Sequence, residues 1–505
     1  MSKTLEQFEQ YLDKMKKYEH INTLLYWDMR TCAPKLGQAG HIDALTYFST
    51  ESFAMSTSDE LYGMLETLKT PEEFAQLSDT MKFIVTRMQR DMEKDRRIPK
   101  DRYEVMVREQ AESGNAWEDA KNASDFSIFA PHLEKMIALT KEMAGYTDPG
   151  KEVYDVLLDK YEEGMDSATI DRLFGELKEA LIPLVKKILA AKQPDDTKFH
   201  AYFDPDDQRK VQDLLLSYIG FSKDAGAVGE TEHPFTLNFS SKDVRVTNHY
   251  YEHDPISAMF SAIHEGGHAI FEQNVNPEYD NTAAGSCRYM GVHESQSRFY
   301  ENILGRNKNF WIPVYEKVQE LMPQMKDISL DEFYHEINHV RNSLIRTEAD
   351  EVTYCFHIIL RYEMEKAIFR ENIPVENLPE LWNQKMKEYL DITPANDAEG
   401  ILQDMHWSDG SFGYFPSYLL GSIYDGMYLE ELEKESGPVD EILKEGRIKE
   451  ITKWLNEKIH WYGSTRTPKE VIANVCGKEV SAEPLVRYFE NKYADIYNLD
   501  HLMEK

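Results

Sequence analysis

Apolar positions recur at three- and four-residue steps along most of this chain, which predicts a protein built mainly of α-helices. Leu5, Phe8, Tyr11, Leu12, Met15 and Tyr18 form the first stripe, with charges between them. Leu25-Tyr26-Trp27-Asp28 follows, then a turn-rich piece with Pro34 and Gly37. Residues 38–147 keep the helical spacing, with breaks near Pro71 and Pro99. Asp166-Ser167 caps a second long stripe, from Ile170 to Ile188, and Pro183 inside it predicts a kink. Between residues 224 and 252 the period changes. His233-Pro234-Phe235-Thr236-Leu237-Asn238-Phe239 and Asp243-Val244-Arg245-Val246-Thr247 alternate polar and apolar positions, predicting a small sheet of two or three strands. Asp254-Pro255 then starts a helix, a capping acceptor followed by a proline where a missing N–H costs nothing. Helical spacing resumes at Gly291 and is expected to continue to about residue 390. It gives way to glycine-rich loop between Gly400 and Gly413, then returns to the end. No repeat or low-complexity linker interrupts the chain, so residues 1–505 read as a single domain whose lobe boundaries the pattern does not mark.

Composition narrows the class. The 57 Lys and Arg against 90 Asp and Glu give a formal charge of −33, a poor match for nucleic acid or an anionic membrane surface. The N-terminal residues lack the basic start and apolar run of a secretion signal, and no apolar run approaches the ~18 residues of a membrane span. Cys32, Cys287, Cys355 and Cys476 are scattered and form no CxxC pair, as expected of reduced thiols in a cytoplasmic protein.

The chemistry concentrates on the helix that Asp254 starts. His264 and His268 stand one helical turn apart, which sets two imidazoles side by side at the spacing a zinc-sized ion requires, with Glu265 next to them. Chance gives on the order of 0.05 such His-Glu-x-x-His matches in a chain like this, yet there are two, the second being His335-Glu336-Ile337-Asn338-His339. Context favours the first. Gly266 and Gly267 lie inside it, each costing about 1 kcal/mol relative to Ala, so another backbone or a substrate is expected to approach closely there. Glu294 follows in an unusual Ser/Gln/Arg setting and is the leading third ligand, with Asp280 and Glu301 as rivals and an ordinary pair with Arg298 as the bland alternative. The second motif sits in charged, glycine-free helix, where nothing marks a third ligand. If the first site holds a metal, Glu265 is placed to take a proton from water and deliver it to a leaving amine. His406, Tyr414 and Tyr418 could donate to an oxyanion. Arg346 is either half of an i, i+4 pair with Asp350 or a clamp for a substrate carboxylate.

Six ordered motifs resemble the carboxypeptidase Taq family of metallocarboxypeptidases. They are His233-Pro234-Phe235, Asp243-Val244-Arg245-Val246-Thr247, His264-Glu265-Gly266-Gly267-His268, His293-Glu294-Ser295-Gln296-Ser297, Ile345-Arg346-Thr347-Glu348-Ala349-Asp350 and Gly400-Ile401-Leu402-Gln403-Asp404-Met405-His406-Trp407. The resemblance implies a mostly α, two-lobed groove protein of the neurolysin and angiotensin-converting-enzyme type, usually a homodimer. It implies removal of single residues from peptides with a free C-terminus, using zinc or sometimes cobalt. By that resemblance His264, His268 and Glu294 are the ligands, Glu265 the general base and acid, and Arg346 the recogniser of the terminal carboxylate. His406 and Tyr418 become transition-state donors, and His233 and Arg245 groove-lining residues. Two stretches depart from the family: Ala33 stands where Met is usual, and Gly226 to Glu232 lacks the usual Gly-Arg-x-Asp. The alternatives are an endo-acting metallo-oligopeptidase on the same scaffold and a non-catalytic helical metal-binding protein.

Overall fold

The first helix, Lys3–Thr31, is capped by the Ser2 hydroxyl, which accepts the Leu5 N–H. It runs through Trp27-Asp28 and lies over the sheet, with the Trp27 ring 6.0 Å from Phe235 and His20 5.1 Å from Phe239. The structure, a computed structural model, describes residues 2–280, 282–285 and 287–499. Helices dominate, and among the described residues none is long and apolar enough to cross a membrane. Pro71 opens one short helix, Pro71–Gln76, and Pro99 immediately precedes another, Lys100–Ala123. Asp166 caps Ser167–Ala190 by accepting the Thr169 N–H, and that helix continues through Pro183.

Two apolar cores form. The smaller gathers Phe8, Leu61, Leu65, Leu68, Ile84 and Val85 from the N-terminal helices. The larger runs from Ala120 to Tyr497 and takes in Val244 and Val246 of the sheet and Ile263, Ile270 and Phe271 of the histidine helix. The sheet has three strands in the order β1-β3-β2: β1 (Gly226–Glu230), β2 (Thr236–Ser240) and β3 (Asp243–Asn248). β1 runs parallel to β3, and β2 antiparallel to it with a bulge between Asn238 and Ser240. Val244 and Val246 face the core, so Arg245 between them faces the other side.

One expectation fails in the middle of the chain. The helical run from Gly291 is broken: Leu330–Ile337 ends at Asn338, and regular helix returns only at Thr353–Phe369. The Asn338 side chain donates to the Tyr334 carbonyl at 2.9 Å, taking the acceptor that its own N–H would use in a continued helix, while that N–H bonds the Glu336 carbonyl.

Candidate metal and catalytic centre

The histidine helix, Pro255–Gln273, starts as the sequence dictates: Asp254 accepts the Ser257 N–H and Pro255 occupies the first turn. His264, His268 and Glu294 each bring one ligand-capable atom within 4.8 Å of the others. Glu294 arrives on a second helix, Met290–Arg298, and the glycines explain how the two come so close. A Cβ on residue 267 would lie 2.6 Å from the Gln296 carbonyl oxygen and 2.8 Å from Ser297 Cα. A Cβ on Gly421 would lie 3.0 Å from the Ser295 nitrogen, so the Glu294 helix passes between two glycine notches. Gly266 instead meets side chains, with Ile219 Cδ1 at 2.5 Å from its would-be Cβ.

Hydrogen bonds fix the chemistry of the cluster. Glu301 Oε2 is 2.7 Å from His264 Nδ1. Burial works against a charged Glu301, but Arg298 and His264 outweigh it and hold its carboxyl down at about 2. An ionised carboxylate only accepts, so a His264 proton is held on Nδ1 and Nε2 is the nitrogen left to face an ion, which takes the place of any proton there. Burial also disfavours charge on His264, yet Glu301 and the nearby Glu294 lift it to about 9, a strongly basic donor ring. Glu294 receives Arg298 Nε on Oε1 at 2.8 Å, while Oε2 lies 3.6 Å from His268 Nε2. The Glu294–Arg298 pair therefore does form, but both side chains are largely buried and the second oxygen still faces the cluster. Two imidazoles and a carboxylate are the donor set of a catalytic zinc site. Glu265 is buried beside them and accepts the Thr236 hydroxyl of β2 at 2.5 Å, and burial raises its carboxyl above the ordinary value. Of the rivals, Glu301 is spent on His264, and Asp280 accepts from Ser241.

A second group centres on Arg346. Its anticipated partner Asp350 instead receives the N–H groups of Arg341, Val352 and Thr353. Arg346 lies in a short 3₁₀ turn and donates from Nε to Asp404 at 3.0 Å and from Nη1 to the Tyr354 hydroxyl at 3.2 Å. Arg361 reaches the other Asp404 oxygen at 2.6 Å, so two guanidiniums share one carboxylate. Tyr354 joins the two groups, because its ring also carries the Arg298 guanidinium at 4.1 Å. The path from Glu294 through Arg298 and Tyr354 to Arg346 is thus continuous. Above it, Tyr418 packs 5.0 Å from the Arg346 guanidinium, and its hydroxyl is 3.2 Å from His406 Nε2. Tyr414 stacks on His406 at 5.5 Å. Burial, reinforced by Arg346 and Arg361 against the pull of Asp404, holds His406 neutral with a value of about 4.

His233 and Arg245 are not gathered into either group. His233 is exposed in the turn before β2. Arg245 forks onto Asp243 at 2.9 and 2.7 Å and packs on Phe239 at 4.3 Å. Sequence reasoning missed Arg361, Tyr354 and the partners of the histidines. Arg298 and Glu301 were open to it: they fall four and seven residues after Glu294, on the same helical face.

Comparison with known proteins fits this geometry. A model of the carboxypeptidase Taq (M32) metallopeptidase family matches residues 7–493. Carboxypeptidase 1 of Bacillus subtilis is 43% identical over 496 residues, covering 97% of this chain and 99% of that protein. Thermostable carboxypeptidase 1 of Thermus thermophilus is 36% identical, covering 94% and 96%. The crystal structure of the M32 carboxypeptidase from Deinococcus radiodurans superimposes with a TM-score of 0.95 at 28% identity, covering 99% of this chain and all of that one, or 100%. The chain belongs to the carboxypeptidase Taq (M32) metallopeptidase family and is a metal-dependent carboxypeptidase.

Proposed function

We propose that the protein removes single residues from peptides with a free C-terminus, that His264, His268 and Glu294 hold the metal, and that Arg346 reads the terminal carboxylate. The observation that carries this reading is the shared Asp404. With one carboxylate between Arg346 and Arg361, the trio keeps one unit of positive charge, and it is wired to the metal cluster through Tyr354 and Arg298. Among the described residues, Arg346 Nη1 donates to Tyr354 alone, which leaves it an N–H for an incoming carboxylate. The donor set fits zinc, with cobalt as the alternative. When bound there, such an ion supplies Lewis-acid polarisation of the scissile carbonyl and a lowered water pKa. Glu265, with a carboxyl raised by burial, takes the proton of the attacking water and returns it to the leaving amine. Neutral His406 donates from Nε2 to the Tyr418 oxygen, which frees the Tyr418 hydroxyl proton for the developing oxyanion. Tyr414 walls this corner, and His233 and Arg245 line the approach along the sheet. The protein works as a homodimer in the cytoplasm, in keeping with its family resemblance and its four free cysteines.

Arg346→Ala tests the exopeptidase reading. Loss of one charge-assisted contact should lower kcat/KM on free-C-terminus peptides roughly 30- to 100-fold. Wild-type cleavage of amide-capped peptides as fast as free ones, with no loss in Arg346→Ala, would mean an endo-acting enzyme instead.

A further inference from the structure

The two histidines of the cluster are held by different partners, and the difference points beyond the ligands themselves. His264 meets a carboxylate directly. His268 Nδ1 instead lies 2.6 Å from His293 Nδ1, a contact between two identical nitrogens. Such a pair bonds only if one carries the proton and the other is bare. The far nitrogen of His293, Nε2, is 2.8 Å from Glu272 Oε1, and a carboxylate accepts. With a single proton on His293, Nε2 holds it, His293 Nδ1 is bare, and His268 donates to it from Nδ1. By this chain of deductions His268 Nε2, the nitrogen facing Glu294, has its lone pair free.

We propose that Glu272 and His293 are positioning residues for the metal, forming a buried relay that fixes the tautomer and ring plane of His268. This inference rests on the ligand set of the proposed function. The relay is built rather than incidental. Glu272 is 2% exposed, its second oxygen is held by the Asn238 amide of β2, and His293 packs against Phe271 at 5.2 Å. Asn238 is two residues from Thr236, and in a strand both side chains leave from one face. β2 therefore braces the histidine helix twice, through Thr236 on Glu265 and through Asn238 on Glu272. Glu265 and Glu272 are seven residues apart, two turns along the same helical face. The small sheet has a task in this arrangement: it aligns the general base and the end of the relay with one edge. The relay also makes the two histidines unequal. His264 is backed by a charge one bond away, His268 by a neutral ring with its charge one ring further out, so His268 is the ligand more sensitive to its support.

The experiment follows zinc release from the zinc-loaded full-length protein into excess EDTA, together with the visible absorption of the cobalt-loaded form. Glu272→Gln keeps the size and an acceptor but removes the charge, and His293→Gln removes the ring. Release is expected to speed up about 10-fold in Glu272→Gln and up to about 100-fold in His293→Gln. The cobalt spectrum should shift in both, while the metal-free proteins melt within a few degrees of wild type. Asn238→Ala should follow in the same direction with a smaller effect. His264→Ala is the control for the ligand set. If it keeps stoichiometric zinc, the ligand assignment itself fails. If it loses zinc while Glu272→Gln and His293→Gln release at the wild-type rate with an unshifted cobalt spectrum, the relay alone is wrong.

Discussion

Two stretches of this chain read His-Glu-x-x-His, and both contribute to clusters whose ligand-capable atoms lie within 4.8 Å of one another: His264, His268 and Glu294, and Asp196, Glu336 and His339. Distance therefore does not separate them. Two physical features do. The first motif lies whole within one uninterrupted helix, so its two histidines share a face. The second loses its helix after Ile337, and His339 stands outside it, so His335 takes no part in the cluster. The centres also differ. Around Glu294 the cation, Arg298, bonds one carboxylate oxygen and leaves the other facing His268. In the second cluster the Arg341 Nη2 nitrogen sits among all three groups, 2.6 Å from His339 Nδ1, 2.9 Å from Glu336 and 3.0 Å from Asp196. A guanidinium already occupies the place a metal would take. Four-residue spacing is a ligand pattern only while the helix lasts and the centre is left open.

The largest expected effect tests the contrast at the two glutamates. Glu265→Gln should keep bound metal but lower kcat on a free-C-terminus peptide by roughly 10³-fold, about 4 kcal/mol of barrier. Glu336→Gln should leave kcat within about twofold, because its carboxylate serves Arg341 and His339. Peptide hydrolysis assayed beside metal content decides it, and comparable losses in the two variants would erase the distinction.

How much of this was legible follows from range. Asp254-Pro255, Asp166 and the alternating stretch between residues 224 and 252 are local signals, and the structure follows each of them. The glycine pair announced a close approach, and it is the backbone at Gln296 and Ser297 that comes near Gly267, which no local pattern names. Arg346 had a partner at four residues, yet bonds Asp404, 58 residues away, because the chain around it forms a 3₁₀ turn and not the α-helix that i, i+4 pairing requires. The helix expected to run to residue 390 is likewise a series of shorter pieces, and at the end of one of them the Asn338 side chain takes over a backbone acceptor. Periodicity reports which face is buried, not where a helix yields to a competing hydrogen bond.

The contrast sharpens further in what supports each third carboxylate. Glu294 rides on a helix whose first turn rests on Glu162, a buried carboxyl that accepts the Gly291 N–H and the Tyr424 hydroxyl. Residue 291 must be glycine for this, since a Cβ would lie 2.7 Å from Glu162 Oε1. Burial without a cationic partner raises Glu162 from 4.5 to about 7. A carboxyl raised on folding binds more protons in the native state, so its contribution falls as pH rises from about 4.5 and is fully lost once pH passes about 7. That difference corresponds to roughly 3 kcal/mol. Denaturant melts of wild type and Glu162→Gln across this window should show the wild type losing stability relative to the variant by that order. A constant offset would mean that folding leaves the Glu162 carboxyl at its unfolded value.

The smallest effect comes from trying to break the comparison outright. Arg341→Met removes the guanidinium from the second cluster while keeping an apolar stem of similar reach. Glu336, 9% exposed, loses a donor it now has at 2.9 Å, but Arg341 itself is about half exposed, so solvent reduces the cost to about 1–2 kcal/mol. The informative readout is zinc stoichiometry. If the occupied centre is the main difference between the two regions, the variant should bind a second zinc weakly, through Asp196, Glu336 and His339, and removing it should not alter peptide hydrolysis. If the variant still binds one, the broken helix is what disqualifies the second motif. His339 then hangs from irregular chain after Asn338, whereas His268 is held by a helix, a relay and a strand, and rigidity of the ligands outweighs vacancy at the centre in deciding where the metal goes.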